Sequence, residues 1–453
     1  MKLIIRNGTI LRGDPAQEIQ CDLVVENGVI TEIGNVPVSP ATGQVIDASG
    51  KVVIPGLVDI HAHYITGKEY GYNMLISAGV TTALDPLIGN AKIAKETVLS
   101  CHAGVNTGAL LVLKPGLTVA DSNPGRRELE KIIDLAVSTG AFGVKIIGAH
   151  CPMTPEATAL AIRIAAEKSV PLMFHAGDTV HRDDLKGMTA AVECGNGNPF
   201  ILAHVNAYCD GHTMGNQNRE ALEALELLAQ HPEIVCESSL SELSCIGSRM
   251  KDDVPESLCM IDILHHLGFP ANYQGMLCAV EQGKLAVSGP VPGGEFAFLD
   301  HAAAVARFKE LHGAVTVGYH KHEMSKNILL ATGKNSGGKF IIRTLTTDGG
   351  VVPRNITLAK GLALVRAGVF TLSEFTAQSS RAGALILGLD KKGILETGCD
   401  ADIVIADIGT GKAETVISGG TVVRHNGKAF PAPNHFFELD PGCGKRQLYW
   451  LDK

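Results

Sequence analysis

Between residues 58 and 348 the chain alternates short apolar runs with amphipathic stretches, and this alternation restricts the fold more than any other feature. Apolar runs at 58–63, 81–86, 109–113, 143–147, 172–175, 200–204, 234–238 and 340–348 read as strands buried on both faces. Helix-period stretches at 126–139, 155–168 and 219–231 lie between them, as βαβ units require. Eight such strands joined by crossovers close into a (β/α)8 TIM barrel, an α/β fold with its functional groups at the C-terminal strand ends. An open doubly wound sheet is the alternative, but no Gly-x-Gly-x-x-Gly follows an early strand.

The two ends of the chain have a different texture. Residues 2–6, 21–26, 29–33, 45–47 and 52–54 read as short strands punctuated by Asn7-Gly8, Asn27-Gly28 and Ser49-Gly50. Strands at 401–406, 414–418 and 421–424 repeat the pattern around Gly419-Gly420 and Asn426-Gly427. One small β-sandwich built from residues 1–54 and 390–430 is therefore expected, with the barrel at 55–389 and a tail at 431–453. Two unrelated β-appendages are the other arrangement. Between the seventh and eighth strands the alternation lapses over about a hundred residues, 240–339. An insertion there forms a lid, a substrate-binding subdomain, or a structural or oligomer-forming element.

Composition bounds the function classes. Of 453 residues, 45% are hydrophobic and 19% charged, which suits a large α/β core. A net charge of −8 without basic runs gives no nucleic-acid or anionic-membrane signature. No apolar run approaches the ~20 residues that span a bilayer, and the first residues are too short for a signal peptide. Eleven cysteines without Cys-x-x-Cys spacing point to reduced thiols and a cytoplasmic protein.

The chemistry-bearing residues fall at the strand ends. His61 and His63 close the first run, and two side chains two apart on a strand share one face, roughly 6–7 Å apart. Such a pair suits a shared metal ion, although hydrogen-bonded surface histidines show the same spacing. Lys145 lies inside the fourth run, His175 and His204 end the fifth and sixth, and Asp348 ends the eighth. A buried ammonium needs a partner, so Lys145 is the hardest of these to read as purely structural.

The segments Pro55-Gly56-Leu57-Val58-Asp59-Ile60-His61-Ala62-His63, Gly143-Val144-Lys145, Phe174-His175-Ala176, Ala203-His204 and Thr347-Asp348-Gly349 together resemble the amidohydrolase superfamily. Within it the chain looks like the dihydroorotase–hydantoinase–D-aminoacylase branch, over nearly all of residues 1–425; the motifs that carry the resemblance lie outside the insertion at about 240–339. The resemblance implies two divalent ions, Zn2+ above Mn2+, Fe2+ or Co2+ for this His and carboxylate set. His61, His63 and Asp348 would hold one ion and His175 and His204 the other, with Lys145 bridging as a carbamate formed from CO2. It also implies a metal-bridging hydroxide that cleaves the C–N bond of a cyclic amide, a ureide or an N-acyl amino acid, with Asp348 as general base and acid.

Asn206, Tyr208, Arg219, Arg343, Arg354, His320 and His322 are candidate contacts for a small-molecule substrate, with Lys321, His150 and Cys151 as further polar neighbours. Relatives of this kind form dimers or tetramers, so a homo-oligomer is expected. A deaminase or a lactone or ester hydrolase on the same scaffold is the alternative, and a non-catalytic assembly protein a remoter one. Lys145 counts against the deaminase, and the complete ligand set against the assembly protein.

Overall fold

The computed structural model describes residues 2–36, 43–292 and 294–439. Its centre is a ring of parallel strands in chain order: Leu57–Asp59, Val80–Ile88, Asn106–Leu113, Gly143–Ile146, Leu172–Phe174, Phe200–Leu202, Ile234–Ser239 and Thr344–Thr346. Each pairs with the next, and every residue in them except Leu87 is buried. That is the near-continuous apolar texture of strands covered on both faces. The barrel is the expected TIM architecture.

Most strand ends shift by one to three residues from the sequence reading, and the two larger differences have a local reason. The first run is not one strand to His63: the ladder stops at Asp59, the backbone bends at 60–61, and a short strand Ala62–His63 follows. That short strand pairs with Gly349–Gly350, just beyond the eighth barrel strand. The eighth strand starts at Thr344 rather than at 340, because Phe340 is held in a separate bridge to Lys334. Helices Arg126–Ser138, Pro155–Glu167 and Gln217–Ala229 cover the ring. Thr154 and Asn216 cap the latter two by accepting from Ala157 N and Arg219 N.

The two ends of the chain meet in a single nine-stranded sheet. Val52–Pro55 runs antiparallel to Ile403–Asp407, which joins the N-terminal strands to Lys412–Ser418, Thr421–His425 and Lys428–Ala429. The sheet curls until its hairpin turns touch. A Cβ on Gly420 would lie 2.7 Å from Gly28 Cα, so both turns depend on glycine. Ile5, Leu23, Ile30, Ile403 and Ile417 fill the interior as a core separate from that of the barrel.

The insertion is an α+β unit with its own core of Met260, Leu264, Met276, Phe308 and Val317. Its sheet orders Leu243–Gly247, Thr316–His320, Ala286–Val291 and Glu295–Phe298, backed by helices Leu258–His266, Tyr273–Glu281 and His301–Glu310. It leaves the barrel after the seventh strand and returns through helix Met324–Thr332, so it stands over the C-terminal face. Part of the tail is tied down at the opposite end of the ring: His435–Phe436 pairs with Asn106 and Thr107, at the start of the third strand. The remainder, 440–453, lies outside the described residues. No helix among them is long and apolar enough to cross a membrane.

A buried carboxylate is one of the links between barrel and curled sheet, beside the Arg381–Asp14 pair and the packing of Ile54 and Val404. Asp402, 2% exposed, accepts from Lys392 Nζ at 2.6 Å, Gly419 N at 2.7 Å and Asn106 Nδ2 at 3.3 Å. Asp402→Ala leaves Lys392 with Asp400 alone and takes the acceptor from Gly419 N, and the expected loss is about 2 kcal/mol of unfolding free energy. Urea titration followed by circular dichroism checks this; an unchanged midpoint refutes the role.

Candidate functional site

Five of the barrel strands deliver polar side chains to one point at the C-terminal face. His61 and His63 follow the first strand, Lys145 sits in the fourth, His175 and His204 follow the fifth and sixth, and Asp348 follows the eighth. His63 Nε2 lies 3.0 Å and His61 Nε2 3.6 Å from Asp348 Oδ1. The rings of His61 and His204 are centred 5.2 Å apart, and His175 Nδ1 lies 2.9 Å from His204 Nε2. His61, His63 and Asp348 offer donor atoms within 4.8 Å of one another.

The backbone is bent to achieve this. His204 and Asp348 have φ of 30° and 46°, a left-handed region that costs a non-glycine residue about 1–3 kcal/mol. Both occupy the turn directly after a strand, where an extended residue would carry its side chain past the floor. Two glycines allow close approach beside them. A Cβ on Gly148 would lie 1.8 Å from His175 O, and one on Gly350 2.2 Å from His63 O.

Electrostatics prepare the set for a cation. Burial, reinforced by the Lys145 ammonium, holds His61 well below its ordinary value, and burial and the neighbouring histidines do the same to His175. Burial takes His204 down to about 3. All three are neutral imidazoles at pH 7, the form that ligates metals. Burial alone would raise Asp348, but Arg354, His61 and His63 outweigh it and keep the carboxylate ionised, well below its ordinary value. Burial also pushes Lys145 down to about 8, against the pull of Glu237 and Asp348.

Several buried polar atoms here have no hydrogen-bond partner: Lys145 Nζ, His63 Nδ1, His175 Nε2 and His204 Nδ1. Orphaned groups of this kind are costly in a folded core, and bound ions with their ligands would satisfy them. Nitrogen and carboxylate donors in this arrangement fit divalent ions of the zinc class.

Three supporting carboxylates were not singled out from the sequence. Glu237, fully buried on the seventh strand, meets His61 Nδ1 at 2.5 Å and accepts from the Thr346 hydroxyl. It turns the Nε2 of His61 toward Asp348. Asp59 accepts from His61 N at 3.0 Å and from Thr347, and burial pushes it up to about 7. Asp85 accepts from the backbone N–H groups of Tyr64 and Ile65, each at 3.0 Å, and fixes the turn after His63. A lone carboxylate in an apolar strand, as in Ile234-Val235-Cys236-Glu237, was the available signal.

Above this floor opens a cavity of ≈1170 Å³ roofed by the insertion. Asn206, His320, His322, Arg354, Lys321, His150 and Cys151 all line it. Arg354 is already engaged: its guanidinium pairs with Asp348 Oδ2 and donates to Asp348 O at 2.6 Å and Leu243 O at 3.4 Å. Asn206 Oδ1 accepts from Ser238 Oγ and Ser239 N, and His322 Nδ1 lies 2.8 Å from Lys326 Nζ.

Three expected contacts lie elsewhere. Tyr208 is fully buried behind His175 and His204, its hydroxyl accepting from Ala176 N at 2.8 Å. Arg219 is exposed in the first turn of its helix. Arg343 precedes the eighth strand, at the end of the ring away from the cavity, with its N–H donating to Cys236 O. Proximity in sequence to a strand did not distinguish its two ends.

Residues 44–107 match the model of the amidohydrolase family, a span that includes His61 and His63. Dihydroorotase of Pelobacter propionicus is 30% identical over 196 residues, covering 39% of this chain and 43% of the relative. The match thus spans less than half of that relative's length. Among solved structures, N-acyl-D-glutamate deacylase of Bordetella bronchiseptica, complexed with zinc and a phosphonate inhibitor, superposes with a TM-score of 0.68 at 17% identity, over 96% of this chain and 99% of that one. Dihydropyrimidinase of Brevibacillus agri superposes with a TM-score of 0.58 at 17% identity, over 97% of this chain and 100% of that one. Those two likenesses concern the fold. Together with the sequence match around the histidine pair, they support a place in the amidohydrolase superfamily, in its cyclic-amidohydrolase branch.

Proposed function

We infer that the chain is a metal-dependent hydrolase that cleaves the C–N bond of a cyclic amide, a ureide or an N-acyl amino acid. The observation that carries this reading is the convergence of neutral His61, His175 and His204, partnerless Lys145 and ionised Asp348 on the floor of one roofed cavity. His61, His63 and Asp348 would hold one divalent ion, and His175 and His204 a second. Lys145, with a lowered ammonium pKa, has an appreciable fraction of free amine to add CO2, and the resulting carbamate would bridge the pair. Zn2+ suits the donors best, with Mn2+, Fe2+ or Co2+ as substitutes. Such ions lower the pKa of water toward ~7 and stabilise negative charge developing on a carbonyl oxygen.

The chain's own groups supply the rest. Asp348 accepts the proton of the attacking water and delivers it to the leaving nitrogen, acting as base and then acid. Arg354 holds that carboxylate by its free oxygen and its backbone carbonyl, so it positions Asp348. Glu237 does the same for the His61 ring through Nδ1. The insertion closes the cavity with His320, Lys321 and His322, and substrate selection falls to that roof with Asn206. A cytoplasmic homo-oligomer, dimer or tetramer, remains part of this reading. The competing deaminase reading calls for one ion per chain rather than two.

Four outcomes are expected. Hydrolysis of metal-loaded protein, screened by release of a new carboxylate, should appear for one class among cyclic amides, ureides and N-acyl amino acids; ammonia release from an aminopurine instead would replace the reading. Asp348→Asn should retain most of its metal by elemental analysis and lose at least about 100-fold in kcat. Lys145→Ala should lose activity that short-chain carboxylates restore in part, and full activity without them removes the bridge. Glu237→Gln should weaken metal binding about 10–100-fold in a chelator competition, and unaltered affinity refutes its role.

A further inference from the structure

The cavity wall carries a second cluster of metal-competent donors on the other side of His175. While Nδ1 of that ring faces His204, its Nε2 is buried, has no hydrogen-bond partner and lies 3.9 Å from Asp183 Oδ2. The His150 ring is centred 4.5 Å from that of His175, and Ser257 Oγ engages His150 Nδ1 at 2.8 Å, which leaves its Nε2 available. Cys259, 5% exposed, enters from helix Leu258–His266 of the insertion. One donor atom from each of His150, His175 and Cys259 lies within 4.8 Å of the other two.

We propose that Cys259, His150, His175 and Asp183 hold a further zinc-class ion, which fastens the insertion to the barrel face. The donor set is the argument. A thiolate, two imidazoles and a carboxylate match the ligands and four-fold coordination of zinc sites, with bonds of roughly 2.0–2.3 Å. Closing the spacing of the His150, His175 and Cys259 donors onto one ion takes side-chain movements of about 1 Å. Two donors belong to the loops after the fourth and fifth strands, Asp183 to the segment beyond His175, and the thiol to the roof. Coordination therefore crosses the boundary between barrel and insertion, where Ala149 already packs into the core of the insertion. Only His175 is shared with the floor set. Binding releases the Cys259 thiol proton to solvent, and a second proton from His175 when its Nδ1 also holds an ion.

Cobalt(II) loading of the full-length protein tests this, because thiolate ligation gives a near-ultraviolet sulfur-to-cobalt charge-transfer band that nitrogen and oxygen ligands do not. The band is expected in the wild type, absent in Cys259→Ser, and retained in the double variant His61→Asn/His63→Asn. Cys259→Ser should also bind one cobalt fewer by elemental analysis. His150→Asn, which keeps the thiol, should weaken cobalt binding at this band about tenfold or more. Absence of the band at saturating cobalt, its persistence in Cys259→Ser through Cys151 or Cys245, or its loss in the double variant overturns the proposal. Cobalt lost by the double variant tests the floor centre separately.

Discussion

Asp59 occupies the seam where the ring of strands has no direct ladder between its first and last members. It accepts from His61 N on one side and from the backbone and hydroxyl of Thr347 on the other. Those donors flank His61 and Asp348, so the bonds that shut the barrel are also the bonds that set two ends of the floor. Asp348 N donating to His61 O at 2.9 Å completes the join. Each unsatisfied donor at a buried seam costs about 1–3 kcal/mol, which makes closure and placement of the floor one cooperative event.

From that seam the remaining geometry follows by short steps. Closure brings the turn after Asp348 against His63, where only glycine fits at 350. Glu237 and the Thr346 hydroxyl then fix the His61 ring from beneath, and Arg354 fixes Asp348 from above. The strained residues His204 and Asp348 are held by these neighbours rather than by their own preference, as expected where a packed scaffold over-determines a site.

The eight strands could be read from the sequence because a parallel strand buried on both faces leaves an unbroken apolar run, and seven of the runs are bounded tightly enough to locate. His61, Lys145, His175, His204 and Asp348 stood out because each interrupts or ends such a run. What escaped the reading depends on contacts distant along the chain. Glu237 reaches His61 across 176 residues, and Arg354 is absorbed by Asp348, a pairing that no spacing rule contains. Tyr208, Arg219 and Arg343 were placed by nearness to strands, but nearness says nothing about which way a helix turn or a strand start faces.

The insertion has consequences for how such a chain can diversify. It enters and leaves the barrel between adjacent strands, and its apolar core around Met276 and Phe308 is distinct from the barrel core. Substitutions inside that apolar core are therefore buffered from the floor, because the two cores are separate clusters. A lineage can vary the interior of the insertion by drift while the residues that face the cavity, and the ion-binding chemistry below them, stay under separate selection.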